Sequence, residues 1–229
     1  MKGKAYCIGV GPGDPELMTL KAVRLIRESD IIAVPGNRPE ESVAYRIALK
    51  AVPEIKDKKV IALSSPMKMD MSAIKDAHRQ SADTIKKYLD KGLDVVFMTI
   101  GDPTVYSTFI YIKDHLENDG YETRLINGVT SFCAAAARVN IPIARWDEAV
   151  HVLPAVHGTD DISDLDGSLI LMKSASRFAE IRDTLKKKGF EAVMIENCGM
   201  DDEKVFERIE DMPDEAGYFS IIFAKKLKK

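Results

Sequence analysis

Residues 99–108 read Thr-Ile-Gly-Asp-Pro-Thr-Val-Tyr-Ser-Thr. The apolar run Val95-Val96-Phe97-Met98 leads into them, and a helical pattern begins near Ser107. A carboxylate, Asp102, and a phenol, Tyr106, therefore sit on a loop at the carboxyl end of a buried strand. Open α/β sheets bind their ligands at such ends. Gly101 lets another molecule approach the backbone, and Pro103 fixes φ and stiffens the turn. Ser107 or Thr108 can cap the helix that follows. Taken alone, the loop reads equally well as an ordinary strand-to-helix turn.

Two further loops have the same character. Gly9, Gly11 and Gly13 end or follow a first strand expected over residues 4–10. A dinucleotide fingerprint would require glycine at position 14, which is Asp14, and Pro12 has no N–H to offer a phosphate. The second strand, expected over residues 31–34, runs into Pro35-Gly36 rather than an acidic residue. An NAD site is therefore rejected. What remains is a tight Gly-Pro-Gly turn, with Thr19 placed to cap a helix bearing Leu20, Val23 and Ile26. The third loop, Asn127-Gly128-Val129-Thr130-Ser131, follows a strand expected over residues 122–126. Thr130 and Ser131 bring hydroxyls and unpaired N–H groups to a helix start, which suits a polar ligand; a simple N-cap is the alternative.

The elements that must position these loops can be read from periodicity. Helices are expected over 41–52, from Ser72 to Gly92 with an apolar stripe of Ile74, Ala77, Ile85 and Leu89, and over 132–139. A short buried strand is expected at 60–63. Up to Asn140 strands and helices alternate, which argues a mostly parallel sheet. Residues 140–147 break the pattern, so a boundary is placed between domains 1–143 and 144–229. Strands then become denser, at 149–153, 168–172, 192–195, 204–209 and 218–224, with one helix over 177–188. The last two strands are expected to pair antiparallel in a mixed sheet. The fold class is α/β with two α/β domains.

Composition excludes several functions. The 229 residues carry a formal net charge of −3, which gives no electrostatic reason to expect nucleic acid or a membrane surface. No apolar run has a membrane-spanning length, and the start of the chain lacks the apolar core of a signal peptide. A cytoplasmic location is expected. The three cysteines, Cys7, Cys133 and Cys198, are far apart, and His151 and His157 do not make a helical pair. No protein-bound metal is expected. His78 reads as a partly buried histidine rather than a ligand. The alternating methionines of Ser64 to Met71 read either as a loop or as a pliable apolar flap over a flat ligand.

Residues 9–20, Gly-Val-Gly-Pro-Gly-Asp-Pro-Glu-Leu-Met-Thr-Leu, resemble the opening motif of the tetrapyrrole methylase family. So do Gly101-Asp102-Pro103, Gly128-Val129-Thr130-Ser131, Leu171-Met172 and Glu196-Asn197-Cys198-Gly199, in order and over essentially the whole chain. Within the family, Gly-Asp-Pro-Thr-Val-Tyr-Ser-Thr is most similar to enzymes that methylate carbon 20 of precorrin-2 or its cobalt-bearing counterpart. The resemblance implies a homodimer that uses S-adenosylmethionine, held in a cleft between the domains, to methylate a tetrapyrrole. It also implies cofactor contacts at Pro12, Ile100, Gly101, Asp102, Val105, Thr130, Ser131, Met172 and Cys198. Many members have Glu-Asn-Gly where this chain has Glu196-Asn197-Cys198. Asp102 and Tyr106 are the candidate catalytic groups, for positioning or for proton transfer. Arg38, Lys68 and Arg145 are candidates to meet substrate carboxylates. Other branches methylate another corrin carbon, diphthine precursors or ribosomal RNA, and a non-catalytic binding module is a further alternative.

Overall fold

The computed structural model describes residues 2–64, 71–155 and 165–226. The methionine-rich stretch before Met71, with Lys68, and also His157, lie outside the described residues. The chain divides into two compact units, Met1–Ser131 and Phe132–Lys229. This division falls earlier than the break at residues 140–147.

The first unit is a sheet of β1 (Ala5–Gly9), β2 (Ile31–Pro35), β3 (Lys59–Leu63), β4 (Val95–Thr99) and β5 (Thr123–Ile126). All pairings are parallel, in the order β3-β2-β4-β1-β5. Side chains alternate faces along each strand. Ile8, Ile32, Val34, Val96 and Met98 pack with α1 (Leu20–Glu28) and α2 (Val43–Ala51). Ala5, Cys7, Ile31, Ala33, Val95 and Phe97 pack with α3 (Met71–Leu89) and α4 (Phe109–Asn118). Burying each large apolar side chain contributes about 1.5–3 kcal/mol, so both faces are strongly held. The helices after β1 and β4 thus lie on opposite faces of the sheet. Neighbouring strands whose connections diverge leave a crevice at their carboxyl ends, and β1 and β4 are such a pair.

Local chemistry sets the helix starts. The Thr19 hydroxyl accepts from the Ala22 amide and caps α1. Asp14, at the position where a dinucleotide site needs glycine, accepts from the Glu16 amide and caps a single 3-10 turn, Pro15–Leu17. Of the two candidates before α4, Ser107 does the work: its hydroxyl accepts from the Phe109 amide, whereas Thr108 makes no side-chain cap bond. Two details differ from expectation. Leu20 opens α1 facing solvent, because the buried stripe runs through Ala22 and Ile26. The expected start at Ser72 falls inside α3, whose first residue is Met71. His78 is buried on that helix and stacks on Tyr111 with centroids 5.0 Å apart. Burial, aided by nearby His115, pulls its pKa below the ordinary value.

Helix α5 (Ser131–Arg138) starts with the last residue of the first unit and continues in the second. The second unit has β6 (Val150–Pro154), β7 (Ser168–Met172), α6 (Phe178–Lys187), β8 (Phe190–Glu196), β9 (Lys204–Phe206) and β10 (Ser220–Lys226). The sheet order is β6-β7-β10-β8-β9, with β6 and β7 parallel and the other pairs antiparallel. The expected pairing of the last two strands is therefore corrected. The long apolar β10 takes the sheet centre between β7 and β8, and the three-residue, largely exposed β9 is left on the edge of β8. Proximity in sequence favours a hairpin, but burial of Ile221, Ile222, Phe223 and Ala224 decides the position of β10.

Candidate functional site

Three glycines mark the carboxyl ends of β1, β4 and β5. A Cβ on Gly9 would lie 2.3 Å from the Gly101 carbonyl oxygen, and one on Gly128 would lie 2.2 Å from the same atom. The backbones of the three loops are therefore stacked on one another, and only glycine allows it. An isolated antiparallel bridge joins Gly11 to Gly101, whose amide donates to the Gly11 carbonyl at 2.8 Å. Gly101 adopts φ +70°, a conformation that costs an L side chain energy.

Asp102 locks this arrangement. It is 5% exposed. Its Oδ1 accepts from the Thr104 amide at 2.8 Å and from the Thr104 hydroxyl. Its Oδ2 accepts from Asn127 Nδ2 and from the Gly128 amide, both at 3.1 Å. Burial pushes the carboxyl pKa up, but the bonds from Thr104, Asn127 and Gly128 outweigh it and hold the group below its ordinary value. An ionised carboxylate has about four acceptor positions, and here neutral donors of the second and third loops use them. Tyr106 follows on the same loop. It is exposed and sits at φ +52°, an outlier for a bulky aromatic and the kind of strain that collects at functional sites.

The remaining residues of the set lie around this junction or in the second unit. Pro12 is buried in the turn after β1, and Ile100 and Val105 are half-buried on the second loop. Thr130 and Ser131 are half-buried at the start of α5, where the first-turn amides have no intrahelical acceptor. Ser131 belongs to the junction, since a Cβ on Gly101 would lie 3.5 Å from its amide nitrogen. Met172 and Cys198 follow a similar logic within the second unit. Met172 ends β7 and is paired with Ile221, while Glu196, two residues before Cys198, is paired with Ser220, so both tips lie at one end of that sheet's strands. Cys198 is buried.

Both tips carry a non-glycine residue at positive φ, Lys173 at +55° and Asn197 at +51°. Burial pulls the Lys173 ammonium pKa down. The adjacent Ser174 hydroxyl is buried with no hydrogen-bond partner among the described residues. Sequence reasoning missed Asn127, Thr104 and Lys173. The glycine that ends each of three strands was the available signal for the junction; nothing in the sequence marks the positive φ of Lys173. Of the residues proposed to meet carboxylates, Arg38 is an exposed side chain paired with Glu41, and Arg145 is exposed in the second unit. Among the described residues no group of three His, Cys, Asp or Glu could hold a metal ion, and no helix is long and apolar enough to cross a membrane.

The family model of the tetrapyrrole (corrin/porphyrin) methylases matches residues 4–213. The chain belongs to the tetrapyrrole methylase family. This methylase is 31% identical to the probable cobalt-precorrin-2 C(20)-methyltransferase of Methanocaldococcus jannaschii, over 99% of its own length and 97% of the relative's. It is 29% identical to the cobalt-precorrin-2 C(20)-methyltransferase of Salmonella typhimurium, over 99% and 98%. Among solved structures, the uroporphyrin-III C-methyl transferase of Thermus thermophilus complexed with S-adenyl homocysteine superposes with a TM-score of 0.73. That match covers 97% of each chain at 20% identity, and it establishes the α/β fold with one parallel and one mixed sheet. The methylase is an S-adenosylmethionine-dependent methyltransferase by family.

Proposed function

We propose that this enzyme methylates carbon 20 of precorrin-2, or of its cobalt-bearing form, in the building of the corrin ring. The carrying observation is similarity along almost the entire length of two enzymes named for that reaction, the Methanocaldococcus and Salmonella relatives. The Gly101-to-Thr108 loop supports the same branch. A homodimer in the cytoplasm is proposed with it, on the family resemblance.

The residues present fit S-adenosylmethionine. Hydroxyls and unpaired amides at Thr130 and Ser131 suit a ligand with polar groups at several points. Half-buried Ile100 and Val105 offer it apolar edges. Pro12, Met172 and Cys198 complete the proposed set. When bound, S-adenosylmethionine supplies a sulfonium methyl, a strong electrophile for an electron-rich macrocycle carbon. The protein must then hold carbon, methyl and sulfur in line, and such positioning can supply about 7–11 kcal/mol of a barrier.

Asp102 serves that positioning by fixing the second loop to the third. A carboxylate whose acceptor positions are filled and whose pKa is lowered is a poor base, so proton removal from the methylated carbon falls to another group. Tyr106, with its exposed phenol on the same loop, is the proposed partner for that step.

Methyl-labelled S-adenosylmethionine incubated with precorrin-2, with and without inserted cobalt, tests the reading by nuclear magnetic resonance of the product. A single new methyl at carbon 20 is expected. A methyl at any other carbon, or methylation of ribosomal RNA instead, overturns it.

A further inference from the structure

Glu203 lies outside every motif noted in the sequence, yet it stands at the junction of two elements that carry proposed cofactor contacts. Its Oε2 accepts from the Gly199 amide at 2.8 Å, next to Cys198. Its Oε1 accepts from Arg138 Nε at 2.7 Å, on the last residue of α5. The first residue of that eight-residue helix is Ser131. The Glu203 side chain is 15% exposed. Burial pushes its pKa up, and the Gly199 and Arg138 bonds together outweigh that and hold it below the ordinary value.

The turn around Cys198 is closed by further bonds that leave little freedom. Asn197 Nδ2 donates to Asp202 at 2.8 Å, the Met200 amide to the Asn197 carbonyl at 2.9 Å, and the Glu203 amide to the Met200 carbonyl at 3.2 Å. Gly199 takes φ +73° to turn its amide inside this ring of bonds. The turn is thus one compact body, and Glu203 is its tether to α5. Losing the Arg138 bond would free the Cys198 turn from α5.

We infer that Glu203 is a positioning residue of the methyl-donor site: through Gly199 and Arg138 it fixes the Cys198 turn on α5 within the second unit. The inference rests on the cofactor set proposed above. Displacing a binding contact by a fraction of an ångström is expensive, so this tether has leverage on affinity that an ordinary surface ion pair lacks.

The test is calorimetry of S-adenosylmethionine binding with the parent, Glu203→Gln, Glu203→Ala and Arg138→Ala proteins, alongside KM for each substrate. Glu203→Ala should weaken S-adenosylmethionine binding by roughly tenfold and leave KM for the tetrapyrrole within about twofold. Glu203→Gln keeps an acceptor for Gly199 and should recover part of the loss. Arg138→Ala reads the same tether from its exposed end should Glu203→Ala not fold, and it should resemble Glu203→Gln. If folded Glu203→Ala and Arg138→Ala bind S-adenosylmethionine as the parent does, with only thermal stability reduced, Glu203 is structural and the inference fails. If the parent itself binds no S-adenosylmethionine, the proposed function fails first and takes the inference with it.

Discussion

Two carboxylates hold the loops of this methylase, one in each unit, and both do so by accepting from a glycine amide. Asp102 takes Gly128 and Glu203 takes Gly199. They differ in how their charge is supported. Asp102 faces only neutral donors in a nearly dry setting, whereas Glu203 completes its bonding with an arginine whose side chain is 62% exposed. Neutral donors held by the backbone are insensitive to salt, while a half-solvated ion pair is screened. The first unit thus has a rigid junction. The second has a tether that solution conditions can loosen.

The comparison is broken most forcefully at the glycines. Gly128→Ala would drive a Cβ into the Gly101 carbonyl, and backbone on both sides leaves nothing to yield. A loss of about 3 kcal/mol or more is expected, at the upper end of overpacking costs. Gly120→Ala is the control: unlike Gly128 it has positive φ, but it has nothing within 4 Å, so only the backbone cost of about 1 kcal/mol should appear. Equal midpoints for the two in urea unfolding would contradict the stacked junction.

Asp102→Asn comes next. Its amide N–H groups must face the donors of Thr104 or those of Asn127 and Gly128, so the change removes bonds on one side of the junction. A loss of about 1.5–3 kcal/mol is expected at neutral pH. The folded pKa of Asp102 lies below the unfolded one, so its contribution is complete above about pH 5 and fades as pH falls through the folded value. The stability gap between parent and variant should therefore be flat at neutral pH and narrow in acid. A gap that widens in acid would mean the carboxyl is held protonated.

Arg138→Ala should cost no more than about 1 kcal/mol, and that cost should shrink further in molar salt, unlike the Asp102 variant. Identical salt responses would erase the distinction between the two carboxylates. Smallest in stability is Tyr106→Gly, expected to stabilise by up to about 1 kcal/mol through relief of the left-handed backbone while methyl transfer falls. A destabilised variant with full activity would show that Tyr106 has a packing role only.

Much of the first unit was readable because its chemistry is local. The unbroken apolar run Ile31-Ile32-Ala33-Val34 states a strand buried on both faces, and Thr19 and Ser107 cap helices with their own side chains. The mixed sheet was readable as strands but not as neighbours, since the place of β10 depends on burial against β7 and β8 rather than on its closeness to β9. The position of Asp102 at a strand tip follows from the chain; its partners do not, because Asn127 is 25 residues away and its amide reaches Asp102 only through the parallel register. The strained backbones of Tyr106, Lys173 and Asn197 have no sequence signature at all, because each is a residue type that ordinarily avoids that conformation or tolerates it without needing it.

The most direct measurement is hydrogen exchange of the intact protein with and without S-adenosylhomocysteine. The strand-end loops of the first unit, residues 100–106 and 127–131, should gain protection together as the ligand binds. Protection confined to the opposite ends of these strands, or absent from the Gly101 and Gly128 loops under saturating ligand, would show that the glycine junction does not hold the methyl donor.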